Sequence, residues 1–269
     1  MPKFVVYFTL RTRRACREMR LKRNQLEYAF TASNVPPYAC PHCEAGILQV
    51  EGKLDSHATE ASKKDQDYGS DPDFVVLNFH GKLVCTTCSD IVFVVGTGGV
   101  EAEHEVDETG NWSSEWVEYF DPRFFHPPLK LVNCPEKTPY TVKEKVRAAC
   151  EAYFCQPDSC CNSIRAAAEE ILTDLKIDLK KADGGYLSFS SRINQLPPER
   201  EAVKALFDAI RWLGNHGSHS NSSLSRSDAL DAFDVMNLLL EELYSETRLK
   251  ARELAKRIND AKGPVGRHG

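Results

Sequence analysis

Four cysteines in two short pairs are the residues of this sequence best suited to chemistry. Cys40 and Cys43 form one CxxC pair, and Cys85 and Cys88 form a second. Two thiolates separated by two residues fit two corners of one tetrahedral zinc ion, with Zn–S bonds of about 2.3 Å. The two pairs would fill all four corners and leave no position for a catalytic water. We therefore predict a structural Zn²⁺ site. The alternative is four reduced cysteines in a hydrophobic core.

The residues around the two pairs are β-rich, as in a zinc ribbon. Runs of β-branched and aromatic residues predict strands at residues 47–51, 74–79, 82–85 and 91–95. Polar composition predicts loops at residues 55–73 and 97–108. We expect the aromatic residues that follow to be core or lid residues rather than a base-stacking platform. These are Trp112, Trp116, Tyr119 and Phe120.

Charge is distributed unevenly along the chain. Residues 1–30 contain eight Lys/Arg and two acids, whereas residues 31–137 contain seven Lys/Arg and eighteen acids. The basic segment, predicted as a strand at residues 4–10 followed by a helix, could bind the phosphates of RNA or DNA. It could equally be a solvated helix face, a poorly ordered terminus, or a segment that docks on the acidic middle of the same chain.

Hydropathy and cysteine usage bear on the cellular compartment. No apolar run approaches the ~20 residues of a membrane span, and the first residues lack the pattern of a signal peptide. We expect a cytoplasmic protein that does not bind membranes, with cysteines that are reduced or metal-bound rather than disulfide-paired.

Apolar residues recur at helical spacing in the C-terminal half, which predicts a bundle of four helices. The predicted helix starts are a capping box at residues 141–144, residues 158–159, residues 197–198 and residues 225–227. The third helix is predicted to end at Gly214 and the fourth to extend to about Asp260.

The sequence thus predicts an α+β protein of two folded modules with connecting segments. The parts are a basic N-terminal segment (1–30), a zinc-ribbon β module (31–118), a proline-rich linker (119–137), a helical bundle (138–260) and a flexible tail (261–269).

The turn after the third helix contains a second group of reactive side chains. They are Arg211, Asn215, His216 and His219. A histidine can accept a proton from a ribose hydroxyl or donate one to a leaving oxygen, and an arginine can hold a phosphate. The structural alternative is that Asn215 forms a tight turn and that the histidine bonds the last carbonyls of a helix.

Four segments of the C-terminal half resemble a prokaryotic domain-of-unknown-function family within the HEPN superfamily (higher eukaryotes and prokaryotes nucleotide-binding). They are residues 119–129, residues 163–172, residues 210–219 (Ile210-Arg-Trp-Leu-Gly-Asn-His-Gly-Ser-His219) and residues 238–244. The resemblance implies a HEPN-like helical bundle, often found behind a CxxC ribbon. It also implies a relation to domains of restriction enzymes and of other prokaryotic defence or toxin–antitoxin proteins.

Active HEPN ribonucleases are metal-independent and typically carry Arg, a polar residue, three further residues and His, paired across a homodimer. The best alignment puts Gly214 at the arginine position, Asn215 at the polar position and His219 at the histidine position. Alternatively, Arg211 and His216 satisfy the spacing, with Trp212 at the polar position.

A further charged pair is expected in the same cleft of the bundle. Arg165 and Glu169 lie four residues apart on the second helix and therefore share a face, on which they can form an ion pair. We expect this pair to be structural, and substrate contact is the other interpretation.

Two functions from different classes follow, and the sequence does not decide whether the protein is an enzyme. The favoured hypothesis is a non-catalytic zinc-containing module that binds nucleic acid or a partner protein in a defence-type or toxin–antitoxin system. The alternative is a metal-independent ribonuclease acting as a homodimer, with His219 or His216 as acid–base group and Arg211 as phosphate clamp. A third hypothesis is a regulator that masks a toxin encoded elsewhere.

Overall fold

The computed structural model describes residues 23–67, 71–106, 110–217 and 223–265. The chain forms two compact units that divide between Lys130 and Leu131. The first contains an antiparallel sheet and the second is helical, so the predicted α+β class is confirmed. The predictions for residues 1–22 lie outside the described residues. None of the described helices combines the length and the apolar composition needed to cross a membrane.

The described part of the first unit contains six strands and two short helices. Its elements are α1 (Arg23–Glu27), β1 (Phe30–Thr31), β2 (Leu48–Val50), β3 (Asp55–Ala58), α2 (Glu60–Asp67), a 3-10 turn (Pro72–Phe74), β4 (Leu77–Cys85), β5 (Ile91–Val106) and β6 (Trp112–His126). The strand order is β1-β6-β5-β4-β2, with β3 also paired to β4, and every pair is antiparallel.

The sheet buries one face, because buried and more exposed residues alternate along its strand β4. In β4 every second residue from Leu77 to Cys85 is buried, which is the period of a strand with one face in the core. Aromatic rings fill that core, with centroid distances of 4.8 Å between Phe79 and Phe120 and 5.0 Å between Tyr38 and Phe125. Each buried large side chain contributes roughly 1.5–3 kcal/mol.

Two loop predictions in this unit were wrong. The described residues within 55–73 form β3, α2 and most of the 3-10 turn, and β5 continues to Val106. The acidic part of β5 alternates glutamate with Ala102, His104 and Val106, so it has the two-residue period of a strand despite its polarity. Pairing with β6 supplies the cross-strand contacts that outweigh the low strand propensity of glycine and glutamate.

The aromatic residues of β6 divide between the core and the surface. Phe120 is buried as predicted, but Trp112 and Trp116 are 76% and 48% exposed, so these two are not core residues. Residues 119–126 of the predicted proline-rich linker form the second half of this strand. Pro122 is tolerated there because it lies opposite Gly96, beside the bulge between Val95 and Gly96.

The second unit is helical, as predicted. Its elements are α3 (Tyr140–Ala152), α4 (Pro157–Asp174), α5 (Phe189–Ile193), a 3-10 turn (Pro198–Arg200), α6 (Glu201–His216), α7 (Arg226–Tyr244) and α8 (Glu246–Ala261). Helices α4 and α7 supply most of the buried apolar stripe that the 3.6-residue period predicts.

The observed helix termini agree only in part with those predicted from the sequence. Ser225 caps α7, and its hydroxyl accepts a hydrogen bond from the amide of Asp228 while the Asp228 carboxylate accepts one from the amide of Ser225. Two other predicted termini are confirmed: helical structure begins at Pro198 with the 3-10 turn that leads into α6, and the last helix ends at Ala261. Three predictions were wrong, because Thr141 lies inside α3 rather than capping it, α4 begins at Pro157, and α6 continues through Gly214. The last predicted helix is also divided at Ser245 into α7 and α8.

Candidate functional site

The two CxxC pairs form two turns with the same local geometry. The amide of Glu44 donates to the carbonyl of Cys40, and the amide of Ser89 donates to the carbonyl of Cys85. Glu44 and Ser89 each adopt a left-handed conformation, with φ of 55° and 60°. In each turn a backbone amide also donates to the first cysteine sulfur, from His42 at 3.4 Å and from Thr87 at 3.3 Å. Each turn therefore directs two sulfurs to one side.

Strand pairing brings the two turns together. Strand β2 pairs with the end of β4, so that Leu48 lies opposite Cys85. Two hydrogen bonds join the turns directly, from the amide of Thr86 to the carbonyl of Ile47 at 3.0 Å and from the amide of Ile47 to the hydroxyl of Thr86 at 3.2 Å. The two turns therefore meet although a segment that contains β3 and α2 separates them in sequence, which local spacing alone could not show.

The four sulfurs form a compact cluster without a disulfide. Each ligand atom lies within 4.8 Å of the others. The Cys40–Cys88 and Cys43–Cys85 sulfur distances are 3.7 and 3.6 Å. Metal–sulfur bonds of about 2.3 Å in a tetrahedron give sulfur–sulfur edges of about 3.8 Å, whereas a disulfide requires about 2.05 Å. The predicted ligand residues therefore have the geometry of a four-coordinate metal site.

Close packing around the cluster leaves no space for a larger residue at one position. A Cβ atom added at Gly46 would lie 2.5 Å from the sulfur of Cys85 and 2.7 Å from the hydroxyl oxygen of Thr87. Such distances are shorter than a non-bonded contact allows, so a side chain there would displace a ligand. Glycine at position 46 is thus part of the candidate metal site, although it supplies no ligand atom.

The electrostatic environment differs among the four thiols in the absence of a metal. Burial raises the pKa of Cys40 to about 12. Burial also acts to raise the pKa of Cys43, but hydrogen bonds from the amides of Ala45 and Gly46 outweigh it, and the pKa falls to about 6. Thiolate ligands must lose their protons to bind a metal, so Cys43 is the ligand prepared to do so at neutral pH.

The Arg/His group in the second unit is only partly assembled. Arg211 and His216 both lie on α6, and at about 100° per residue they point about 140° apart around the helix. The guanidinium of Arg211 donates to the Asp208 carboxylate at 3.0 Å and stacks on the ring of Trp212 at 4.0 Å. The side chain of Arg211 is 17% exposed. His219 lies outside the described residues.

A different arginine, Arg165, contacts Asn215, the residue at the polar position of the motif. Arg165 of α4 donates from Nη1 to the side-chain oxygen of Asn215 at 2.8 Å and from Nε to Glu169 at 3.2 Å. The predicted Arg165–Glu169 pair is therefore present. The side chain of Arg165 crosses α6 at Gly214, where an added Cβ would lie 2.7 Å from both Cβ and Cδ of Arg165. Glycine at position 214 is required by this close approach.

Sequence reasoning missed that Arg165 contacts Asn215. The two residues are fifty positions apart, so periodicity within one helix gives no indication of the contact. The only signal was a glycine inside an otherwise apolar helical pattern, which can mark a close approach of another element.

The second unit also contains a cleft of about 380 Å³ between the ends of several helices. Its lining includes Leu175, Val203, Glu242, Leu243, Leu249 and Arg252.

Comparisons with known protein families give one match in each of the two units of the chain. A family model described as a domain of unknown function (DUF8608) matches residues 28–125. A second domain of unknown function (DUF4145) matches residues 147–261. No curated protein and no solved structure matches the chain. The first matched region contains all four clustered cysteines, and the second contains Arg165 and Asn215, so the chain is similar to two domain families that each include one candidate site.

Proposed function

We propose that this protein is a zinc-containing binding module of a prokaryotic defence or toxin–antitoxin system, and that it recognises a nucleic acid or a partner protein without cleaving it. In this proposal the first unit is a zinc ribbon with a long insertion, and the second is a HEPN-like bundle. The cytoplasm is its proposed location, because thiolate sites persist in a reducing compartment.

The choice of zinc is supported by the chemistry of the ligand set. Four thiolates are soft ligands, and a tetrahedral all-sulfur site is typical of zinc or of iron–sulfur centres. Each half of the site is one turn of the form Cys-x-x-Cys followed by a left-handed residue. Four protein ligands would leave no open position, so the metal would stabilise the fold rather than activate water.

The observation that carries the non-catalytic proposal is the arrangement around Gly214. Gly214 lies at the position that carries arginine in active HEPN ribonucleases. The side chain of Arg165, from α4, occupies the space that a side chain at position 214 would take. Arg211, the nearest substitute in sequence, is held by Asp208 and Trp212. Within the described residues of one protomer, Arg211 and His216 do not face one site, because they lie on different sides of α6.

A specific observation supports a second candidate function, the metal-independent ribonuclease. The guanidinium of Arg165 contacts Asn215, the residue at the polar position of the motif. Arg165 would then replace Arg211 as the phosphate clamp, and a histidine from the same or a second protomer would act as acid–base group. The ion pair with Glu169 opposes this function, because it neutralises the charge that a phosphate would meet.

An RNA-cleavage and RNA-binding assay distinguishes the two candidates. The zinc-loaded protein is incubated with varied RNAs in buffer without added divalent cations, beside His216→Ala, His219→Ala, Arg211→Ala and Arg165→Ala, with Arg257→Ala on exposed α8 as control. We expect no cleavage by the folded wild type. Cleavage that leaves cyclic phosphate ends, and that is lost in a histidine variant and in Arg165→Ala or Arg211→Ala but not in Arg257→Ala, would replace the binding proposal with the ribonuclease.

A further inference from the structure

A two-stranded ribbon extends from the sheet of the first unit. Pairing between β4 and β5 ends at Gly98, and pairing between β1 and β6 ends at Tyr119. Beyond these points, residues 100–106 of β5 and residues 112–118 of β6 pair only with each other within the described part of the chain. We call this segment the ribbon. Because an isolated pair of strands is marginally stable in water, a ribbon of this length gains from a binding partner.

One face of the ribbon presents bare aromatic surface. The register places Val106 opposite Trp112 and Ala102 opposite Trp116, so these four side chains share a face. That face continues the buried side of the sheet, because Phe120 follows Trp116 at even spacing and is buried. Ser56 of β3 reaches this face at Glu118, where its hydroxyl donates to the carboxylate at 2.8 Å. Further out, Trp116 is 48% exposed and Trp112, at 76%, is the most exposed tryptophan of the chain. Exposed tryptophans are typical anchors of protein interfaces.

The opposite face of the ribbon is acidic. Glu103 lies directly opposite Glu115, and Glu101 lies two residues further along β5 on the same face. Like charges placed opposite each other repel. A hydrogen bond to Glu103, with additional repulsion from the glutamates, raises the pKa of the Tyr119 hydroxyl. Residues 100–119 contain no Lys or Arg, and their acids are Glu101, Glu103, Glu105, Asp107, Glu108, Glu115 and Glu118.

Charge decides among the possible occupants. Nucleic acids and anionic membranes are repelled by a segment with seven carboxylates and no cation. A second ribbon from another copy carries the same charges and is repelled for the same reason. A Lys- or Arg-rich protein segment is attracted, and its cations can also stack on the exposed indole rings.

We propose that the ribbon is a docking arm for a basic, Lys/Arg-rich segment of a partner protein. Trp112 and Trp116 contact the stems and cations of that segment, and Glu101, Glu103 and Glu115 attract it from the opposite face and edges. This inference rests on the proposed binding function, because it names the class of partner that the module recognises.

The tryptophan content of the chain permits a direct test. The chain has three tryptophans, and Trp212 lies in the second unit. The variant Trp212→Phe therefore reports fluorescence from the ribbon alone. It is titrated at low salt with an Arg-Gly repeat peptide and with the same peptide carrying uncharged citrulline in place of arginine.

We expect a saturable change in emission with the arginine peptide and little change with the citrulline peptide. Combining Glu101→Gln, Glu103→Gln and Glu115→Gln should weaken binding by at least about tenfold, and the effect should diminish as salt rises. Trp112→Ala should weaken binding about two- to fivefold, as expected for loss of a cation–π contact. The matched control replaces exposed acids of the second unit, Glu199→Gln and Glu253→Gln, and should leave affinity unchanged.

Several results would overturn the inference. These are no saturable change, equal binding of the citrulline peptide, or equal weakening by the control substitutions. Displacement of the peptide by single-stranded RNA, a dimer that Trp112→Ala dissociates, or tighter peptide binding after deletion of residues 1–22 would assign the ribbon to another occupant. RNA or protein binding that persists while the ribbon binds no peptide would overturn this inference and leave the binding-module proposal standing.

Discussion

Replacing one clustered cysteine should unfold the first unit and leave the second folded. The change is Cys43→Ser, which removes the ligand with the lowest pKa, with Cys155→Ser as control because that sulfur lies outside the cluster. Without metal, the two turns are joined by the hydrogen bonds between Thr86 and Ile47. At about 0.5–1.5 kcal/mol each, these two bonds contribute roughly 1–3 kcal/mol.

A zinc ion bound by the cluster would contribute far more than those hydrogen bonds. Structural zinc sites provide about 10–16 kcal/mol of apparent binding free energy at neutral pH, which is comparable to the whole stability of an ordinary domain, about 5–15 kcal/mol. Loss of most of this energy should therefore exceed the stability of the first unit. The second unit has its own apolar core, centred on α4 and α7, and should keep its stability.

The assay combines metal analysis with local protection. Elemental analysis should find one zinc per wild-type and Cys155→Ser chain and much less in Cys43→Ser. Amide hydrogen exchange should become fast in β4 and β5 and remain slow in α4 and α7. A metal-free sample with an unchanged strand signal by circular dichroism would refute the reasoning, because the sheet would then be stable without the site. One zinc per chain in Cys43→Ser would show that the cysteine is not a required ligand.

Four further predictions concern the second unit and are measured by urea unfolding followed through the helical signal. Gly214→Ala should destabilise by about 1–3 kcal/mol, because its Cβ would overlap Arg165 and separate two packed helices; unchanged stability would mean that Arg165 moves freely. Ser225→Ala should cost about 1 kcal/mol through loss of the cap on α7. Hydrogen bonds from Ser225 lower the pKa of Asp228, so the carboxylate stabilises the fold above its ordinary pKa near 3.8, and this contribution is lost as pH falls through the lower folded value. The stability difference between wild type and Asp228→Asn should accordingly narrow in acid, and a constant difference would contradict the cap. Arg192→Met should cost about 2–4 kcal/mol, because Arg192 is buried and donates to two backbone carbonyls and a threonine hydroxyl that would lose their partner; a variant as stable as wild type would contradict this role.

The candidate metal site shows how far local sequence reasoning extends. The CxxC spacing is a local property, so the residues of each half-site could be named from the sequence alone. That the two halves meet depends on the pairing of β2 with the end of β4, across an insertion that was predicted to be a loop. Pairing between distant strands depends on long-range packing and has no local sequence signature.

The second unit shows the same difference between features encoded within one segment, such as its amphipathic helices, and features that depend on packing between segments, such as the surroundings of Asn215. The apolar period of 3.6 residues predicted α4, α6 and α7, because burial of one helix face is encoded along a single segment. Which arginine approaches Asn215 was decided by helix packing, since Gly214 allows α4 to approach and brings Arg165 to a residue fifty positions away.

The sequence by itself determined the α+β class, the two cysteine pairs of the candidate metal site and the helical half, because each depends on composition or on spacing within one element. The tertiary structure decided three features that depend on contacts between distant segments. These are the closure of the four-sulfur cluster, the pairing of Arg165 with Asn215, and the extension of an acidic segment into a paired ribbon with exposed tryptophans. Only a folded chain brings such segments together, because the contacts that stabilise them are made across the sheet and between helices.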